Sequence, residues 1–229
     1  MTQAGPADGY PDSSTAAGAA EPTEAPGPSQ PSETAEAPGV WDLPGPVVRT
    51  GRIVVRDATP ADAGDIAAIY APVVGKTAIS FEETPPGPGE IARRMRATPR
   101  LPWLIADDAG HVAGYAYASA HRARPAYRWS ADCSVYLDPR YRSRGLGRLL
   151  YEHLIAEVSS LGYISLFAGI ALPNAASVGL HEAMGFRHVG TYLEAGFKFG
   201  AWRDVGWWGL SLQSSPARGE PTPFSDVRA

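Results

Sequence analysis

Four arginines and two glycines fall within the nine residues 140-RYRSRGLGR-148. Glycine lets a ligand approach the backbone without a side chain in the way. Arginine adds charge-assisted hydrogen bonds to phosphate oxygens. The run leads into 149-LLYEHL-154, whose apolar spacing is helical, so the glycines fall where a helix begins. At that point the first amides have no internal partner and the helix dipole is positive. A strand, a glycine turn and a helix start of this composition suit a diphosphate. Two diphosphate motifs do not fit: Leu150 stands at the third glycine of G-x-G-x-x-G, and no Gly-Lys-Ser/Thr follows. From this stretch alone, an ordinary solvated arginine cluster remains the alternative.

The other groups able to do chemistry are sparse. Cys133 is the one cysteine. As a nucleophile it would need an activating histidine, with His181 the candidate, and an oxyanion hole. It follows Asp132 along a strand, so the two side chains point to opposite sides of the sheet and only one can face a given cleft. His111, His121, His153 and His188 are read as structural.

These residues need elements to position them. Residues 52–57 read as a strand, and Thr59 or Asp62 can cap a helix over 60–74 with Pro60 in its first turn. Residues 90–97 form a short helix stopped by Pro99, and 103–107 and 111–120 form a hairpin about 108-DAG-110. A strand over 130–137 leads into the arginine turn, and a helix runs from Leu146 to Leu161, closed by Gly162. A buried strand at 163–170, a helix from Asn174 to Met184 ended by Gly185, and strands at 187–200 and 202–212 complete the domain. Hairpins at both ends favour a partly antiparallel α/β sheet over a doubly wound parallel one.

Composition sets the outer limits. Residues 1–50 carry seven acids and one base, and the rest of the 229-residue chain 17 acids and 19 bases. The segment 1–48, rich in Pro, Ala, Gly and Glu, cannot bury enough apolar surface to offset its ordering entropy and is expected to be a disordered tail. Residues 213–229 read the same way, leaving one domain at 49–212. The net charge of -4 argues against a general nucleic-acid binder, and no run of about 18 apolar residues points to a membrane span. No secretory signal is visible, and a lone cysteine fits a reducing compartment, so a cytoplasmic location is expected.

Four stretches in order carry a resemblance. Arg142-x-x-Gly145-x-Gly147 after a strand resembles the acetyl-CoA pyrophosphate turn of the GNAT superfamily of N-acetyltransferases. The run 174-NAASVGLHEAMGF-186 is similar to its closing helix. The stretches 121-HRARPAYRWSADCSVYL-137 and 196-GFKFGAWRDVGWWGL-210 narrow the likeness to the phosphinothricin N-acetyltransferase family, over about 52–212.

The resemblance implies the GNAT acyl-CoA N-acyltransferase fold, an α/β (α+β) arrangement with a mixed, mostly antiparallel sheet flanked by helices. It implies direct acetyl transfer from acetyl-CoA, without a metal, to the free amine of a small amino-acid-like substrate such as phosphinothricin, methionine sulfoximine or methionine sulfone. Asp132 matches the family's glutamate base, one methylene shorter, so it acts directly or through a water. His181 matches the position that protonates the departing thiolate. Val135, Tyr136 and Leu137 would pair with the pantetheine arm, and Asn174 would bond its end. Arg142, Ser143, Arg144, Gly145, Leu146, Gly147 and Arg148 would hold the pyrophosphate. Arg122, Arg124 and Tyr127 would face the acceptor, with Phe81 on its apolar side. Trp129, Trp202, Trp207 and Trp208 are read as core or subunit-interface residues, and Lys198 as a family feature without a role legible in the sequence. The family implies a homodimer. The rivals are protein or peptide N-acetylation, a non-catalytic acetyl-CoA-binding module and a Cys133 hydrolase.

Overall fold

The computed structural model describes residues 48–50, 52–97, 100–213 and 219–224. Eight strands form one sheet: β1 (Val48–Thr50), β2 (Ile53–Asp57), β3 (Trp103–Asp108), β4 (His111–Ala120), β5 (Ser130–Leu137), β6 (Ser165–Ala171), β7 (Arg187–Lys198) and β8 (Ala201–Ser211). Their order is β1-β2-β3-β4-β5-β6-β8-β7. Neighbours are antiparallel except β5 and β6, which run parallel. That is the mixed, mostly antiparallel sheet expected of the fold. Four helices flank it: α1 (Ala63–Lys76), α2 (Pro88–Met95), α3 (Leu146–Ser160) and α4 (Ala175–Ala183).

Alternation along the strands feeds two cores. Ile105, Val112 and Tyr115 lie under α1 and α2 with Ile66, Tyr70, Val74 and Ile91. Ala116, Ala131, Cys133, Leu166 and Ala168 lie under α3 with Leu150, Tyr151, Leu154 and Val158. Both faces of the middle strands are therefore covered, which is why 103-WLIAD-107 reads as a continuous apolar run. The start of α1 is held by Asp62, whose carboxylate accepts from the Thr59 N–H at 2.7 Å and from Arg56 at 2.7 Å.

The expected strand at 52–57 and those from 103 onward are present, with ends shifted by at most two residues. Two features went unread. Strand β1 begins at Val48, inside the segment read as tail, whose residues 1–47 lie outside the described ones. The C-terminal reading is corrected at 219–224. There the Thr222 N–H donates to Leu161 O at 2.9 Å, the Phe224 N–H to Arg100 O at 3.2 Å, and the Phe224 ring is buried in the α3 core. One aromatic ring is enough to tie down a segment whose composition is otherwise that of a solvated tail. Residues 214–218 and 225–229 lie outside the described ones.

Candidate active site

The parallel pair sets the site. Strands β5 and β6 are in register only at Ser130–Ser165, Ala131–Leu166 and Asp132–Phe167. Beyond Asp132 they splay. On its other side β5 stays paired with β4 as far as Leu137–Gly114. From Cys133 to Leu137 one edge of β5 is thus left facing a cleft. That cleft is about 60 Å³, bounded by Ser134, Val135 and Tyr136 on one wall, Ala168–Ala171 on the other, and Asn174, Ser177, His181 and Tyr151 at the α3 and α4 side. An extended chain can pair with an open strand edge of this kind.

At the far end of β5, Asp138 accepts from the Arg140 amide at 2.9 Å and from its guanidinium at 2.7 Å, starting a tight turn. Ser143 (φ 59°) and Gly145 (φ 77°) then reverse the chain into α3. The left-handed conformation at Gly145 is one that glycine adopts without steric penalty. No side chain caps α3, and its first bond runs from the Leu149 N–H to Gly145 O at 3.0 Å. The amides of Leu146, Gly147 and Arg148 are therefore left at an open mouth. Nothing lies within 4 Å of where a Gly145 side chain would start, while Gly147 is pressed against Leu180. Arg140 is engaged by Asp138 and Arg148 by Glu152 at 2.8 Å. Arg142 is exposed and Arg144 lies over the Tyr141 ring, so these two present charge that no carboxylate engages among the described residues.

Asn174 caps α4, its side-chain oxygen accepting from the Ser177 N–H at 3.2 Å. His181 is buried, and its Nδ1 lies 2.7 Å from Ser177 O. A carbonyl can only accept, so Nδ1 carries the hydrogen and Nε2 accepts from the Tyr151 hydroxyl at 2.9 Å. Burial lowers the pKa of His181 and favours this neutral form. Behind Tyr151 sits Cys133, whose thiol is pushed up to about 12 by burial. Buried, and beside the Tyr151 hydroxyl rather than a histidine, this thiol lacks the activating base a nucleophile needs, which counts against the hydrolase reading.

Asp132 faces the opposite way, as strand alternation requires. Its Oδ1 accepts from His121 Nδ1 at 2.6 Å. Burial raises the Asp132 pKa, with His121 and Arg122 pulling the other way. The His121 ring stacks on Phe167 at 4.7 Å and meets the edges of Tyr127 at 5.7 Å and Trp207 at 6.0 Å. It lines a second cleft of about 160 Å³ with Arg122, Phe167, Val189, Gly190, Tyr192 and Trp207. The Arg122 guanidinium lies 5.4 Å from the Trp207 ring, and the Trp207 indole nitrogen is buried with no hydrogen-bond partner among the described residues.

Of the residues expected to face the acceptor, Arg122 lines this cleft and Tyr127 borders it. Arg124 is exposed at the start of the turn Pro125–Tyr127, and Phe81 packs its ring on Gly196 of β7, outside the lining of both clefts. The tryptophans divide. Trp208 is in the core, Trp202 is exposed, and Trp129 donates to Gly219 O at 2.8 Å. Trp207 is a correction to the core-or-interface reading: it lies on the cleft side of β8 because Gly169, opposite it on β6, leaves room for its ring. His121 and Phe167 were missed as site residues. The signal was faint, since only the sheet register sets Phe167 beside Asp132 and brings His121 back over it. Lys198 acquires a role. Its buried ammonium donates to Val74 O at 2.7 Å, Ser80 O at 2.6 Å and Glu82 O at 2.7 Å. It thereby ties β7 to the end of α1 and to the loop bearing Ile79 and Phe81.

A sheet split beside an open, glycine-built helix mouth, with titratable groups on both sides of the split, defines an acetyltransferase of the acyl-CoA type. The chain belongs to the GNAT acetyltransferases: residues 55–207 match the family model described as Acetyltransferase (GNAT) domain. It is 41% identical over 157 residues to a phosphinothricin N-acetyltransferase of Streptomyces viridochromogenes, covering 68% of this chain and 86% of that one. It is 38% identical over 173 residues to an L-methionine sulfoximine/L-methionine sulfone acetyltransferase of Pseudomonas aeruginosa, covering 73% and 98%. The structure of a phosphinothricin acetyltransferase from Sinorhizobium meliloti in complex with acetyl-CoA superposes with a TM-score of 0.69 at 36% identity, over 74% of this chain and 96% of that one.

Proposed function

We propose that this protein transfers the acetyl group of acetyl-CoA to the α-amine of a free amino acid bearing a second polar or anionic oxygen group, of the phosphinothricin, methionine sulfoximine or methionine sulfone class. The observation that carries this reading is the presence of two clefts beside the point where β5 and β6 part. One offers backbone to a pantetheine arm, at Val135, Tyr136 and Leu137, and an uncapped helix mouth with Arg142 and Arg144 to a pyrophosphate. The other is small, and presents the Arg122 guanidinium, suited to carboxylate and phosphinate or sulfoximine oxygens. Its size opposes a peptide acceptor. Relatives acting on these amino acids support the substrate class.

In this reading Asp132 is the carboxylate on the amine side, since an alkyl ammonium must lose a proton before it can attack. On the thiolate side, the Tyr151 hydroxyl and His181 line the cleft as a hydrogen-bonded pair, and the Tyr151 O–H can turn from His181 Nε2 to hydrogen-bond the departing sulfur. Asn174 holds the pantetheine end. A homodimer is part of the proposal: Val189, Tyr192, Leu193, Phe197, Phe199 and Trp202 expose an apolar face on the β7–β8 hairpin, with Leu193 74% exposed. A cytoplasmic enzyme that inactivates a toxic amino-acid analogue is the expected setting, its acetyltransferase domain running from β1 to the packed segment 219–224.

The test is thiol release from acetyl-CoA across free amino acids and their phosphinate, sulfoximine and sulfone analogues. Turnover is expected with at least one of the analogues and with no peptide α-amine. Release with peptides alone would overturn the substrate class.

A further inference from the structure

Asp132 is poorly placed to meet an amine by itself. Its side chain does not line the acceptor cleft; the residue standing between it and that cleft is His121. The imidazole is held on every side: Asp132 of β5 on Nδ1, Phe167 of β6 on its face, Trp207 of β8 and Tyr127 on its edges. The charged and titratable groups around it are Asp132, the adjacent Arg122, and Tyr127. With Nδ1 donating to the carboxylate, Nε2 carries the lone pair, and among the described residues nothing bonds to it. An oriented imidazole with a free nitrogen, lining a cleft and backed by a carboxylate, is the arrangement of a general base.

We infer that His121 takes the proton from the acceptor ammonium and that Asp132 is its positioning partner, an inference that rests on the acetyl-transfer reading above. His121 Nε2 accepts one proton from R–NH₃⁺, and the imidazolium is stabilised by the Asp132 carboxylate. The freed nitrogen lone pair forms the C–N bond at the acetyl carbonyl. The C–S bond breaks with its electron pair going to sulfur. The second proton lost by nitrogen goes to the thiolate, and the His121 proton returns to solvent. The products are the amide, the free thiol and one proton. The pairing also accounts for an aspartate where the family has glutamate: the imidazole supplies the reach that the missing methylene removes.

The experiment compares His121→Gln, His121→Ala and the double variant His121→Ala/Asp132→Glu with the wild type. The amine is one that the wild type turns over, and acetyl-CoA affinity is measured by calorimetry as a control for folding. His121→Gln is expected to lower kcat by about 100-fold or more with acetyl-CoA affinity unchanged. Added imidazole and 4-methylimidazole should restore part of the His121→Ala rate, rising with the basicity of the additive, an effect that a packing role does not produce. The double variant should regain activity over His121→Ala, because the longer carboxylate reaches the cleft unaided. An active wild type with His121→Gln within about threefold of it overturns the inference alone. So does a His121→Ala enzyme that binds acetyl-CoA normally and responds to neither imidazole nor Asp132→Glu. A wild type that releases no thiol with any amine overturns the acetyl-transfer reading, and this inference with it.

Discussion

The two clefts are built from different materials. The β5–β6 cleft and the helix mouth beyond it offer chiefly backbone groups from one continuous stretch, 133–148 — an unpaired strand edge, uncapped amides and two glycines — with β6 and side chains of α3 and α4 closing the other side. The acceptor cleft is made of side chains delivered by four separate parts of the chain: the loop after β4, then β6, β7 and β8. Backbone chemistry is the same for every residue, so the first cleft can serve the same co-substrate throughout a family. Side-chain chemistry varies with each substitution, and on the proposed reading it is at the second cleft that Arg122 and His121, the latter backed by Asp132, select the amine.

If that division holds, damage to one cleft should leave the other intact. The largest expected effect on co-substrate binding is from Gly145→Val. A β-branched residue at φ 77° is strained by about 1–3 kcal/mol, so acetyl-CoA binding should weaken about 10- to 100-fold as the mouth rearranges, with the acceptor KM little changed. Calorimetric titration checks it; normal affinity would show that the phosphate end does not depend on this turn. Lys198→Met comes next. It leaves three buried carbonyls without their donor and should lower stability by about 2–4 kcal/mol, read as a lower Tm. An unchanged Tm would mean that the loop after α1 is held by other contacts. Cys133→Ser is expected to do least. Its thiol is buried and protonated, so turnover should stay within about threefold, the loss arising only from an altered contact with Tyr151. Abolished thiol release in a folded Cys133→Ser enzyme would return the cysteine to the mechanism.

The same division marks what could be read in advance. Strand alternation alone put Asp132 and Cys133 on opposite faces, and the structure has one against His121 and the other against Tyr151. The arginine turn was visible because glycine spacing and helix onset are local properties. Lys198 was visible but mute: its three acceptors lie 116 to 124 residues away, a separation over which no sequence pattern operates. Trp207 was misread for a related reason. Two adjacent tryptophans look alike in sequence, and only the partner strand, with Gly169 opposite one of them, sends that ring to the cleft and its neighbour to the core.

By itself, then, the sequence determined the succession of strands and helices from residue 52 onward, the glycine turn, and that neighbouring strand residues such as Asp132 and Cys133 lie on opposite faces, because these follow from periods of two and 3.6 and from the φ each residue tolerates. Only the tertiary structure decided where β5 and β6 part and which histidine meets the carboxylate. The first depends on register between β5 and β6, more than 30 residues apart, and the second on how β4 pairs with β5 across the loop between them; neither is set by a short stretch of the chain.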